Sequence, residues 1–136
     1  MSKFGKVIGN VPLLVIPFAI YNVAVLYLGN AQDIGPKNAN DYLSLGNIIT
    51  LMSIGLLYVE IFKSTRTGAS SIIDHLFSMA VFVAALIEFI MLPDYRSVAL
   101  FTLMMVMFVD IVGGFTITIR GARRDFGAGG GGIPMS

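Results

Sequence analysis

Apolar residues in this chain come in long runs, separated by short polar stretches. Four runs reach the roughly 20 residues that a helix needs to cross a bilayer. They are Val11–Gly29, Leu43–Phe62, Ile72–Leu92 and Val98–Ile119. Between them lie "NAQDIGPKNANDY", "KSTRTGASS" and "PDYRS", each carrying turn or helix-breaking residues. Pro93 should stop the third run, Pro12 suits a first helical turn, and Pro17 predicts a kink inside the first run. The pattern predicts an all-α integral membrane protein with four transmembrane helices in an antiparallel bundle over residues 1–119. A basic, then glycine-rich tail over 120–136 should be flexible unless something holds it.

Composition strengthens this reading. Of the 136 residues 56% are hydrophobic and 12% charged, with mean hydropathy +0.83. A soluble domain carries about 25% charged residues. So few charges cannot cover the apolar surface of so short a chain, and lipid has to. Charge then sets the orientation. Lys3, Lys6, Lys63, Arg66, Arg120, Arg123 and Arg124 fall on one side of the four runs, and only Lys37 and Arg96 on the other. Basic residues favour the cytoplasmic side, so the amino and carboxyl termini are both expected there, in a bacterial inner (cytoplasmic) membrane. "MSKFGK" with the run after it has the outline of a signal peptide, with Gly29-Asn30-Ala31 as the cleavage site. The run is too long for a signal core and is interrupted by Pro17 and Asn22, so we expect it to be retained.

Composition also narrows the chemistry. Zero cysteines exclude disulfides, iron–sulfur clusters and thiol catalysis within the chain. The single histidine, His75, excludes bis-histidine haem ligation within one chain. No nucleophile–base pair or nucleotide fingerprint stands out, and a net charge of +1 gives no reason to expect nucleic acid. No enzymatic activity, cofactor or metal is expected.

What the pattern does single out is a small set of polar residues inside the apolar runs. At a rise of about 1.5 Å per residue they sort into layers. Asp110, Asn22 and Ser53 share a layer near the midplane, roughly 14–16 Å from the cytoplasmic ends. Glu88, Thr102, Asn47 and Tyr27 form an outer layer roughly 22–25 Å away. Glu60, Asp74 and His75, with Thr116 and Thr118, lie within a turn of the cytoplasmic surface. Helical phase places several of these on small or polar stripes. The stripes are Val15, Asn22, Leu26 and Gly29; Gly46, Thr50, Ser53, Leu57 and Glu60; Asp74, Ser78, Val81, Ala85 and Glu88; and Thr102, Val106, Asp110 and Gly113. Four such stripes should face one another, since small residues let membrane helices approach and polar ones bond across the seam. Ala80 and Ala84 add a small-xxx-small pair, and Gly113-Gly114 suits close packing or a hinge.

Asp110 is the residue that most needs a role. With no Lys, Arg or His in the core of any run, the neutral acid is expected, with Asn22 and Ser53 as hydrogen-bond partners. Three roles fit: glue between helices, an ion or proton site, or a docking charge for another subunit. The leading expectation is a small non-enzymatic subunit of a larger membrane assembly or homo-oligomer, packing through its polar and small helix faces. Its partners are then the bilayer and other membrane subunits or copies of itself. The alternative is an oligomeric proton- or cation-coupled transporter or small channel using Asp110 and Glu88. Arg120, Arg123 and Arg124 suit anionic lipid headgroups, although topology anchoring alone accounts for them.

Overall fold

The structure, a computed structural model, describes residue 3 and residues 9–66 and 69–130. Lys6 and the end of the tail lie outside the described residues. Those described form four α-helices and no strand: α1 Val15–Leu28, α2 Leu45–Lys63, α3 Ala69–Met91 and α4 Val98–Gly130. Short 3₁₀ turns, Ala31–Asp33 and Pro93–Tyr95, lie in the α1–α2 and α3–α4 connections.

Three of these helices, α2, α3 and α4, are long and apolar enough to cross a membrane. The first run departs from expectation. Its helix has only 14 residues, about 21 Å at 1.5 Å per residue, against about 30 Å of hydrocarbon. Proline is the reason. An α-helix started at Val11 would need an amide on Pro17 to bond the Leu13 carbonyl, and proline has none. The chain instead makes tight turns, Val15 N–H to the Pro12 carbonyl and Ile16 N–H to the Leu13 carbonyl. Pro17 therefore sits in the first turn of α1, where its missing amide does no harm, and not at a mid-helix kink. At the other end Gly29 adopts φ 78° and returns its amide to the Val25 carbonyl, closing the helix with a left-handed cap.

The contacts gather the helix ends into two groups. At one end the turn before α1 meets the end of α2 and the start of α3 through Lys63. At the other, α1 is tied to the start of α4. The Tyr21 hydroxyl donates to the Tyr95 carbonyl at 2.5 Å and lies 2.6 Å from the Ser97 hydroxyl, which itself caps the Leu100 amide. Arg96 closes the end of α3 by donating to the carbonyls of Phe89 and Ile90. Tyr21→Phe should cost about 1–3 kcal/mol, read as a lower unfolding midpoint in detergent, with Tyr27→Phe as the neutral control.

The core is centred on α4, where Leu100, Leu103, Met104, Val106, Met107, Asp110, Ile111 and Gly114 recur at three- and four-residue steps. The expected stripes on α2 and α3 are inside: Gly46, Ser53 and Glu60 are buried, as are Asp74, Ser78 and Ala85. The α1 stripe is not. Leu26 is 75% exposed, and Pro17, Tyr21 and Val25 are buried in its place. Tyr21 takes the interior because its hydroxyl finds partners there, a pull that sorting by size and polarity does not register. Outside, Leu, Ile, Val and Phe side chains stand exposed along all four helices, while Ser, Asp, Glu and His side chains lie within. That inversion of the usual soluble pattern points to association with a membrane.

α4 continues past Ile119 through Arg120, Arg123 and Arg124, all exposed, to Gly130. Helix thus occupies the first part of the segment expected to be flexible.

Candidate functional site

The buried polar groups concentrate at one end of the bundle, and Lys63 organises them. This lysine closes the last turn of α2, three residues after Glu60, so its long stem folds back over the same helix face. Its ammonium lies 3.2 Å from both Glu60 carboxylate oxygens, 3.3 Å from Asp74 Oδ1 and 3.2 Å from the Val11 carbonyl. The Leu13 amide also donates to Glu60. Glu60 is 1% exposed and Asp74 is buried. One cation thus serves two enclosed carboxylates and also holds the chain entering α1. Buried charges persist only when paired and hydrogen-bonded in this way.

His75 follows Asp74 on α3. Its Nε2 lies 3.2 Å from the Thr118 hydroxyl, which in turn lies 3.1 Å from the Ser71 hydroxyl. The ring packs at 5.1 Å from that of Phe115 and presses against Gly114. A Cβ at Gly114 would overlap the His75 ring at Cε1, whereas at Gly113 it would meet nothing. Of the two glycines, Gly114 is the one that close packing requires.

Asp110 lies one turn before Gly114 on α4 and is 1% exposed. Neither of its oxygens makes a hydrogen bond with the described residues. The Ser78 hydroxyl, one turn beyond Asp74 on α3, lies close to it, but no bond of normal length and direction joins them. Asp110 is also within electrostatic reach of Glu60, Asp74 and Lys63. Asp74, Ser78 and Asp110 therefore lie along one polar seam, where counting helical rise puts Asp74 and Asp110 in separate layers.

The midplane layer does not assemble as the sequence suggests. The Asn22 amide donates to the Phe18 carbonyl and the Ser53 hydroxyl to the Ile49 carbonyl, each in its own helix at a four-residue step. Neither bonds Asp110. Such local back-bonding satisfies a short polar side chain without help from another helix. Asn22 lies beside Glu88, across what were expected to be two layers. The late start of α1 moves its register, which a count from Val11 does not anticipate.

The outer layer divides too. Asn47 and Thr102 line one cavity of about 310 Å³ with Gln32, Thr50 and Ser97, between the starts of α2 and α4. Thr102 donates to the Val98 carbonyl, and Asn47 to the carbonyls of Asp41 and Tyr42. Glu88 is absent from that lining. Tyr27 is 89% exposed and joins neither group. At the other end Glu60, Asp74, His75 and Thr118 do come together, while Thr116 is exposed and bonds the Val112 carbonyl of its own helix.

Sequence reasoning missed Lys63 as the centre of the site. A lysine at the end of an apolar run reads as a topology anchor reaching for headgroups. The available signal was the pair Glu60/Lys63 at a three-residue step, with Asp74 the next acid along the chain. Comparison of the chain with known protein families, with curated proteins and with solved structures finds no match.

Proposed function

We propose that the chain is a small, non-enzymatic integral membrane protein with four spans in an antiparallel bundle and both termini cytoplasmic. It works as a subunit of a larger membrane assembly or of a homo-oligomer. The observation that carries this reading is the outer face of α1. There a helix too short to match the bilayer alone borders an apolar groove of about 510 Å³, lined by Ala19, Ile20, Val23, Ala24, Tyr27, Leu28 and Leu45. Small residues on an outward face let a neighbouring membrane helix come close, and a neighbour there would shield the ends of a short span from mismatch. Ala80 and Ala84, exposed on α3, offer a second such face. Glu60, His75 and Asp110 are enclosed in the bundle, and Asp74 borders only a narrow cleft, which favours a non-enzymatic role. Extraction from the native host in mild detergent, followed by mass determination of the particle, tests the proposal. A complex of several chains is expected, and a monodisperse particle with one copy alone would contradict it.

A second reading has its own observation. Asp110 is enclosed, unbonded by its neighbours and continuous with a charged cluster, as a site that takes up a proton or cation would be. On this reading the oligomer carries out proton- or cation-coupled transport through Asp110, with Glu88 further along. Asp110→Asn keeps the shape but cannot titrate. It should abolish pH-dependent flux in proteoliposomes while leaving the assembly intact; unchanged flux would remove Asp110 from any transport role.

A further inference from the structure

Two recesses with polar side chains in their linings lie toward opposite ends of the bundle, and buried polar groups without partners lie between one of them and Asp110. The first is a narrow cleft of about 10 Å³ lined by Gly9, Asn10, Lys63, Arg66, Ser71 and Asp74, about the room one water needs. Asp74 belongs both to this cleft and to the Lys63 cluster. One turn deeper on α3 is Ser78, whose buried hydroxyl has no hydrogen-bond partner among the described residues, and next to it is Asp110, whose two oxygens have none either. His75 Nδ1, one turn along from Asp110 across α3 and α4, is likewise unpartnered. Buried polar atoms are nearly always bonded. Four such atoms on neighbouring residues mark a path along which a proton and its hydrogen bonds can be accommodated.

Toward the second recess, the cavity holding Asn47, Thr50 and Thr102, apolar side chains intervene, and the remaining buried unpartnered atom among the described residues, Glu88 Oε1, lies outside the lining of that cavity. Thr102 and Asp110 are separated by eight residues of α4, about 12 Å. Leu103, Val106, Met107 and the facing Ile49 fill that interval, all buried. Ser53, the polar residue at this level of α2, has its hydroxyl committed to the Ile49 carbonyl.

We infer that Asp110 is a proton-binding site reached from the cytoplasmic-end cleft through Asp74 and Ser78, and sealed from the opposite face by Ile49, Leu103, Val106 and Met107. This rests on the second reading above and adds the side from which the site is loaded. The proton balance is simple. A proton from the cytoplasmic solution, carried by water in the cleft that is left as water, binds Asp74; bridging water passes it to the Ser78 oxygen as Ser78 releases its own hydroxyl proton toward the Asp110 carboxylate. Asp74 and Ser78 end as they began, and Asp110 changes from anion to neutral acid. The charged and titratable groups near it are Glu60 and Lys63 from α2 and Asp74 and His75 from α3, while α1 has no charged residue and its buried Tyr21 is bonded to Tyr95 and Ser97 at the opposite end. The Lys63 ammonium offsets the two carboxylates beside it.

Infrared difference spectroscopy of the full chain in sealed, uniformly oriented proteoliposomes tests this. The reporter is the carbonyl band of a protonated carboxylic acid, assigned to Asp110 by its loss in Asp110→Asn. Retained assembly and an unchanged melting profile of that variant show that the band is lost with the acid and not with the fold. Raising the pH on the cytoplasmic face alone should erase the band, the protonated fraction falling about tenfold per pH unit once the acid ionises. Raising the pH on the outer face alone should leave it unchanged. Ser78→Ala should keep the band and slow its response. A band that follows the outer pH, follows neither face, or is missing from the unaltered chain at acidic pH overturns the inference, as does a Ser78→Ala chain that responds at the original rate. A cytoplasm-sided band with flux unaffected by Asp110→Asn would uphold the site and dismiss the transport reading. Flux that depends on Asp110 with no sidedness would do the reverse.

Discussion

Replacing Lys63 with methionine is expected to be the most damaging single change at the buried cluster, at about 3–5 kcal/mol. The length of the side chain is nearly kept and its apolar stem still packs. What goes is the ammonium that Glu60 and Asp74 share. Two enclosed carboxylates are then left close together with no cation between them, and the tie to the Val11 carbonyl is lost with it. Removing one partner of a buried ion pair costs much more than the pair contributes over an apolar substitute, because the remaining charge stays desolvated. Partial recovery is therefore expected when Glu60→Gln is added, since one of the stranded charges goes and the amide can still accept from the Leu13 N–H. Unfolding in detergent for the single and double variants gives the comparison. A Lys63→Met chain as stable as the original would show that the cluster is held by something other than this charge.

Gly114→Ala is expected to come next, at about 1–3 kcal/mol for forcing a methyl into a filled space. The His75 ring is in the way and has little room to yield, with its Nε2 near Thr118, its face against Phe115, and the residue buried. Gly113→Ala, one position earlier, should instead be neutral or stabilising by about 0.5–1 kcal/mol, since alanine is the better helix former and its methyl meets nothing. Combining Gly114→Ala with His75→Ala should recover most of the loss. Equal effects at the two glycines would mean that α3 and α4 do not approach as described.

These two sites show where reading residues in order succeeds and where it stops. Runs of apolar residues give the long helices well, because the requirement for length and hydrophobicity is local to each helix. The inward stripes of α2 and α3 are legible for a similar reason: Ser53 and Glu60, or Asp74 and Ser78, fall at helical spacing among residues that lipid accepts. The stripe of α1 is not legible, because its phase depends on where proline allows the helix to begin and on the distant carbonyl that Tyr21 reaches. Partnerships are harder still. Asn22 and Ser53 have the right chemistry to bond Asp110 and the roughly right height, yet each is satisfied by its own backbone. Lys63 looks like a surface anchor until Asp74, eleven residues on, is seen folded against it. Contacts between helices depend on rotation about their axes and on the tilt of one against another, which no count of residues supplies.

We propose that a bilayer surrounds this bundle, with the connection after α1 on one side and the connection after α2 and the extension of α4 together on the other. Because the chain has no cysteine, single substitutions report unambiguously. Asn38→Cys, Thr65→Cys and Ala122→Cys place a thiol at an exposed position in each of these segments. In intact cells a membrane-impermeant thiol reagent should label Asn38→Cys alone, and should reach Thr65→Cys and Ala122→Cys only once the membrane is opened. Labelling of Ala122→Cys together with Asn38→Cys, or recovery of all three chains in the soluble fraction, would contradict the account.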